Sequence, residues 1–318
     1  MKYILKNQFL LVLILTAIIG CKTENKNTET TKTNLILAKK VLLKHTVLSD
    51  GHPMAVWEKK AENSKGIILF VHGRTWSGVP DFDLQVDGEN LSLMDGLVEQ
   101  GYTTFAIDLR GYGGTPRDST QWATPNVASN DILNILNWIS VQNDNSKVHL
   151  FGWSYGSTLS LLATQKNANN IASLTVFGYW QDLDFKIPSS PINIKLQKSI
   201  NTPENAASDF IIPGSISQKA IETYVKTALK SDPIRVDWKN ENQYNDINPS
   251  LITTPVLILQ GEFDPVSLTA NQVKLFTQLK SSDKSWVVIS GGDHVAFMEA
   301  PRKDFIHTFS AFLDKFNE

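Results

Sequence analysis

The chain has 318 residues, which at roughly 150 residues per domain allows about two domains or one large one. With 42% hydrophobic and 19% charged residues it can bury a sizeable core, and it is excluded from the disordered class. A formal net charge of −2 argues against a nucleic-acid binder, one cysteine excludes a disulfide framework or thiolate zinc cluster, and six histidines show no metal-ligand spacing.

Residues 1–20 read as a sorting signal. Lys2 and Lys6 form a basic start, and Phe9 to Ile19 is an apolar run shorter than the ~20 residues of a membrane span. The run ends in Ile18-Ile19-Gly20-Cys21. This resembles the lipobox of bacterial lipoproteins, and the resemblance implies cleavage before Cys21 and lipidation of Cys21. An ordinary signal peptide or signal anchor ending near a cysteine is the alternative. Residues 21–34 are almost wholly polar and read as a flexible, lipid-anchored tether. Lys22, where an aspartate would signal inner-membrane retention, points to the outer membrane of a bacterial envelope. The expected partners are therefore a membrane, through the lipid on Cys21, and a small-molecule substrate.

Leu35 to Glu58 alternates apolar and polar residues around Ser49-Asp50-Gly51, the pattern of antiparallel strands joined by a turn. Strands are then expected at Gly66–His72, Thr103–Leu109, Val148–Gly152, Ile171–Gly178, Val256–Gly261 and Trp286–Ser290. Helices are expected at Leu91–Gln100, Val127–Val141, Ser154–Gln165, Asn271–Leu279 and Arg302–Phe316. Short apolar strands alternating with helices indicate a parallel sheet with right-handed crossovers. Residues 181–255 break this alternation with Pro188, Pro191, Pro203, Pro213, Pro233 and Pro249 and no convincing strand. Ser217–Leu229 is their one clear helical stretch. The segment is too long for a plain loop and reads as an inserted, mostly helical cap on a core made of 35–180 and 256–318.

Gly152-Trp153-Ser154-Tyr155-Gly156 carries the strongest chemical signal. A G-x-S-x-G match alone is weak, but this one follows an apolar strand and opens a helix. A serine there sits on a tight turn with small neighbours, its hydroxyl thrown outward over a helix N-terminus. The bland alternative is a glycine-rich turn with a capping serine. A nucleophilic serine needs a base. His45 and His52 fall in the first strands, His149 inside a strand and His307 on the last helix. His72 belongs to another motif and reads as a structural hydrogen bonder. His294, in Gly291-Gly292-Asp293-His294 past the last strand, is the candidate base. Asp264, in Gly261-Glu262-Phe263-Asp264-Pro265, is the candidate orienting acid, with Asp182 and Glu262 as runners-up. The Tyr155 and Arg74 backbone N–H groups are the candidate oxyanion hole, with Thr75 second to Arg74.

These motifs resemble the α/β-hydrolase superfamily in its capped serine-hydrolase branch, from about Gly66 to the C-terminus. The matching residues are His72-Gly73, the run Asp108-Leu109-Arg110-Gly111-Tyr112-Gly113-Gly114-Thr115, the Ser154 elbow, Asp264-Pro265, and His294 with Glu299 and Pro301 behind it. The resemblance implies an α/β fold with an eight-stranded, mostly parallel sheet, and no cofactor. Arg74, where an apolar residue often follows His-Gly, and Asp293, where glycine commonly precedes the histidine, depart from the pattern. A serine nucleophile argues against the epoxide hydrolase and haloalkane dehalogenase branches.

Trp76, Trp153 and Trp180 are candidate pocket residues; packing is the other role open to them. Lining the cleft, they would favour a substrate with an apolar or aromatic part. Arg74 could meet a substrate carboxylate or stand as a surface charge. The reading favoured by sequence is acyl transfer on a carboxylic ester. A capped aminopeptidase or a carbon–carbon bond hydrolase would use the same triad. An inactive envelope binding lipoprotein is a third possibility, with the intact triad against it. An acidic cap residue placed to bind a free amine would favour the peptidase.

Overall fold

A computed structural model describes residues 41–317. The signal, Cys21 and tether expected in residues 1–34 lie outside the described residues. Leu43–Ser49 (β1) and His52–Lys59 (β2) pair antiparallel across a turn in which Asp50 and Gly51 take φ of 48° and 79°. Two consecutive positive φ values give the turn whose twist matches its flanking strands, and an Asp-Gly pair supplies them.

Six strands follow: Gly66–Val71 (β3), Tyr102–Ile107 (β4), Val148–Trp153 (β5), Ile171–Phe177 (β6), Val256–Gly261 (β7) and Lys284–Ile289 (β8). All eight form one sheet in the order β1-β2-β4-β3-β5-β6-β7-β8. β2 pairs antiparallel with β4, and every later pairing is parallel. The expected α/β-hydrolase architecture is therefore present. After β4 the chain crosses back over β3 to lay down β5. That reversal opens a crevice beyond the carboxyl ends of β3 and β5, where open α/β sheets bind ligands.

The helices are Gly78–Phe82 (α1), Leu93–Glu99 (α2), Pro125–Gln142 (α3), Tyr155–Lys166 (α4), Pro203–Ala207 (α5), Gln218–Ser231 (α6), Thr269–Gln278 (α7) and Arg302–Leu313 (α8). α3 starts where Thr124 accepts from the Val127 N–H, with Pro125 in the first turn. Its buried Ile132, Ile135, Leu136 and Ile139 recur at three and four residues, so one face meets the sheet. Each such side chain contributes about 1.5–3 kcal/mol when buried. α4 is buried from Tyr155 to Thr164, on all sides rather than one. α1 carries no periodicity signal, because five residues make barely more than one turn.

Residues 181–255 connect β6 to β7. They hold α5, α6 and two 3-10 turns at Glu241–Asp246 and Pro249–Leu251, with irregular backbone between. One buried carboxylate ties them to the sheet's loops. Asp232, just past α6, accepts from the Ser77 N–H (2.8 Å), the Ser77 hydroxyl (2.7 Å) and the Gly113 N–H (2.8 Å). Asp108, at the end of β4, holds the same two loops from the other side. It accepts from Gly78 N–H, Gly114 N–H and Trp57 Nε1–H.

Candidate active site

Ser154 lies between β5 and α4 with φ 53° and ψ −120°. This backbone region is unfavourable for a residue with a side chain and persists only where the surroundings over-determine it. The surroundings here are two close approaches. A Cβ on Gly152 would lie 2.3 Å from the Gly156 carbonyl oxygen, and one on Gly156 would lie 2.3 Å from that of Val71. Only glycine lets α4 pack this tightly on β5 and β3, and the tight packing forces the turn.

His294 is buried in the loop after β8, and Asp264 is buried in the loop after β7. His294 Nδ1 stands 2.8 Å from Asp264 Oδ2. The other carboxylate oxygen, Oδ1, accepts from the Val266 and Ser267 N–H groups (2.9 and 3.1 Å). With Oδ1 fixed to its own loop, Oδ2 is left for the imidazole. Nδ1 then carries the proton, which leaves the Nε2 lone pair for a proton acceptor's role. Neither runner-up contacts this histidine. Asp182 pairs with Lys274 (2.6 Å), and Glu262 accepts from the Ser290 hydroxyl and Gly291 N–H.

Gly178, the residue after β6, brings the two halves together. It has φ +67°, and a Cβ there would lie 2.7 Å from His294 Cε1 and 3.5 Å from the Ser154 nitrogen. Imidazole and elbow therefore crowd the same point. Trp153 fixes the far side: its Nε1–H donates to the His294 carbonyl (2.7 Å), and its ring centroid is 5.4 Å from the imidazole.

The loop after β3 carries His72, Gly73 and Arg74. The Leu109 N–H donates to His72 Nε2 (3.1 Å), so Nδ1 is the protonated nitrogen and donates to the Gly73 carbonyl (2.8 Å). Burial pushes the His72 imidazole down to about 4, which keeps it neutral and structural. The Gly73 carbonyl and the Arg74 N–H share one planar trans peptide, so fixing the first aims the second the opposite way. The Tyr112 hydroxyl donates to the Arg74 carbonyl and accepts from Trp238 Nε1–H (2.8 Å). The Arg74 guanidinium lies 4.9 Å from the Tyr155 ring centre and pairs with Glu241 (2.5 Å), so it is neither free nor a bare surface charge.

Of the candidate pocket tryptophans, Trp76 and Trp153 are 2% and 3% exposed. Trp180 is half-buried and stacks on Tyr155 with centroids 6.1 Å apart. Three further acids stand nearby, of which the sequence singled out only Glu299. Half-buried Asp209, between α5 and α6, is pushed up to about 6 by burial, with His294 and Trp76 pulling it back down. The Tyr224 hydroxyl sits between its Oδ2 (3.4 Å) and Oδ1 of buried Asp81 (3.0 Å). Asp81 is pushed well above the usual carboxylate range by burial and by Asp209. Glu299 is pushed up to about 8 by burial and by Asp293. Asp293 in turn accepts from the Ile211 N–H (3.1 Å), and the Ala300 N–H donates to the Ser215 carbonyl (2.8 Å). Residues 211–215 are thus fastened to the loop that bears His294. Among the described residues, no group of three or more His, Cys, Asp and Glu side chains could hold a metal ion.

A family model described as "Serine aminopeptidase, S33" matches residues 62–301. No curated protein matches the chain by sequence. Solved structures share the fold. One is a membrane phospholipase A described as a bacterial virulence factor, at 18% identity and TM-score 0.61 over 86% of each chain. Another is the thioesterase domain of the curacin biosynthetic pathway, at 15% identity and TM-score 0.61 over 86% of this chain and 99% of that one. A third is a thermophilic esterase from Thermogutta terrifontis, at 18% identity and TM-score 0.58 over 87% of this chain and 100% of that one. At these identities the likeness is one of fold. The family match is different in kind, because it runs unbroken from before the His72 loop, through the Ser154 elbow, to the segment behind His294. The chain belongs to the serine aminopeptidase S33 family and is an α/β-hydrolase.

Proposed function

We propose that the protein is a serine hydrolase acting by nucleophilic acyl transfer, with a carboxylic ester bearing an apolar or aromatic part as its substrate. The observation that carries the reading is the buried 2.8 Å contact of His294 with Asp264 beside the strained Ser154 elbow. His294 Nε2 takes the Ser154 proton as the hydroxyl oxygen attacks the carbonyl carbon. The tetrahedral oxyanion accepts from the Tyr155 and Arg74 N–H groups, neither of which donates to another described residue. His294 then gives its proton to the leaving oxygen, and water repeats the sequence on the acyl-enzyme. Half-buried Trp180, stacked on Tyr155, supports an aromatic or apolar substrate part, whereas buried Trp76 and Trp153 take the packing role.

Asp209 favours a second reading, a capped aminopeptidase. It is an acid of the 181–255 segment within electrostatic reach of His294, and at neutral pH a group near 6 is charged. A carboxylate so placed would attract a substrate's free amine. In either reading residues 181–255 serve as the cap, and Cys21 anchors the protein by lipid to a bacterial envelope, in the outer membrane. A fluorophosphonate probe on protein lacking residues 1–33, read by mass spectrometry, tests the nucleophile. Label at Ser154, absent in Ser154→Ala, is expected; an unlabelled wild-type chain overturns the hydrolase reading. Aryl esters against aminoacyl anilides then separate the two substrates. The peptidase reading requires that Asp209→Asn lose anilide turnover and keep ester turnover.

A further inference from the structure

Two residues supply the oxyanion donors in the reading above, and their side chains end on one atom. Oε1 of Glu241 lies 2.5 Å from Arg74 Nη1 and 2.5 Å from the Tyr155 hydroxyl. Arg74 follows β3, Tyr155 opens α4, and Glu241 comes from a 3-10 turn of the 181–255 segment. The same segment reaches Arg74 a second way, through Trp238 to the Tyr112 hydroxyl to the Arg74 carbonyl. Arg74 is thus pinned before its Cα by His72, after it by Tyr112, and at its side chain by Glu241.

We propose that Glu241 is a positioning residue that sets the oxyanion hole: by clasping Arg74 and Tyr155 together it fixes the separation and aim of their backbone N–H groups. The proposal rests on the hydrolase reading. Its physical basis is that oxyanion donors act through pre-set geometry, so small displacements are expensive in rate and cheap in ground-state binding. A carboxylate is an unusual neighbour for a site that develops negative charge. Arg74 neutralises it, and the guanidinium held over the Tyr155 ring keeps the pair together. Charge alone therefore gives Glu241 no favourable role in turnover, whereas the clasp does.

The two roles make opposite predictions for paired variants. Glu241→Gln keeps an acceptor for both donors and removes the charge. Glu241→Ala removes both. Kinetics should be measured with p-nitrophenyl acetate, whose acetyl group is too small to depend on contacts with the 181–255 segment. Glu241→Ala is expected to lower kcat about 10–100-fold with KM within about threefold, and Glu241→Gln to stay within about threefold of wild type. Affinity for a trifluoromethyl ketone analogue should fall in parallel with kcat. The proposal is overturned if Glu241→Ala keeps kcat within threefold, if only KM moves, or if both variants change equally. Should Glu241→Ala fail to fold, Tyr155→Phe decides, since it removes one arm of the clasp and keeps the backbone N–H: a several-fold fall in kcat alone supports the clasp, and an unchanged kcat overturns it. Fluorophosphonate labelling of wild-type Ser154 separates the failures. With label and no variant effect only the clasp falls; without label the hydrolase reading falls and takes the clasp with it.

Discussion

The strand-end loops of the sheet and the 181–255 segment meet at the same site, but the segment reaches it through polar clasps added to its packing. The loops after β5, β7 and β8 are short and hang from strands β5 and β7 that are buried along their whole length. Apolar packing fixes where they begin, so Ser154, directly after β5, has little freedom, and Asp264 and His294 follow β7 and β8 within a few residues. The 181–255 segment has only α6 as a helix of several turns. Its Ala220, Tyr224, Trp238 and Tyr244 pack into the cores, and polar contacts fasten it to the site: Asp232 on Ser77 and Gly113, Ile211 on Asp293, Glu241 on Arg74 and Tyr155. Packed strands give precision that does not depend on pH or salt, whereas polar clasps give precision that does.

That contrast can be broken experimentally, starting at the sheet end. Ser154→Ala should lose activity by about 10⁴-fold or more with its far-UV dichroism unchanged. Asp264→Asn should lose roughly 10³–10⁴-fold in kcat, because the imidazole then loses its orienting acceptor. An active Asp264→Asn would detach the contact with His294 from turnover. At the polar clasps the effects are on stability. Asp232→Ala leaves the Ser77 and Gly113 donors unmatched and should cost about 1–3 kcal/mol in urea unfolding.

The smallest effects, and the sharpest, are in pH. His72 is held down at about 4, so the unfolded chain binds a proton more readily than the folded one. Stability from this group is full above its unfolded value near 6.5 and drains away as pH falls toward 4. Glu299 is held up at about 8, so the folded chain keeps its proton longer than the unfolded one. Stability from this group is full below the unfolded value near 4.5 and is lost as pH rises through 8. Glu299→Gln should therefore flatten the alkaline side of a Tm-against-pH curve, by ~2–4 °C at pH 9, and leave the acid side alone. An unchanged alkaline limb would deny Glu299 its raised proton affinity.

The same contrast governs what could be read from sequence. Short apolar runs mark the strands, and three of them, β5, β7 and β8, place the loops that carry Ser154, Asp264 and His294. Choosing Asp264 over Asp182 or Glu262 was harder, because all three follow strands. The Lys274 contact that occupies Asp182 spans 92 residues and leaves no local trace. Glu241 is 167 residues from Arg74, Asp209 sits in irregular backbone, and Asp81 lies on a helix of five residues. None of these has a periodicity or a neighbouring motif to mark it. Arg74 shows the limit most plainly. Its presence in the loop after β3 was legible, but its partner was not, so its charge could not be given a role.

The Ser154 backbone has a consequence beyond catalysis. A side chain held at φ 53° costs the fold about 1–3 kcal/mol, and glycine at the same place would recover much of it. Ser154→Gly should therefore melt above the wild type while turning nothing over. Random substitution would drift that way if thermal robustness were all that mattered. A serine at this strained position gives up thermal stability that glycine would restore, so heat resistance and the placement of its hydroxyl pull the sequence in opposite directions.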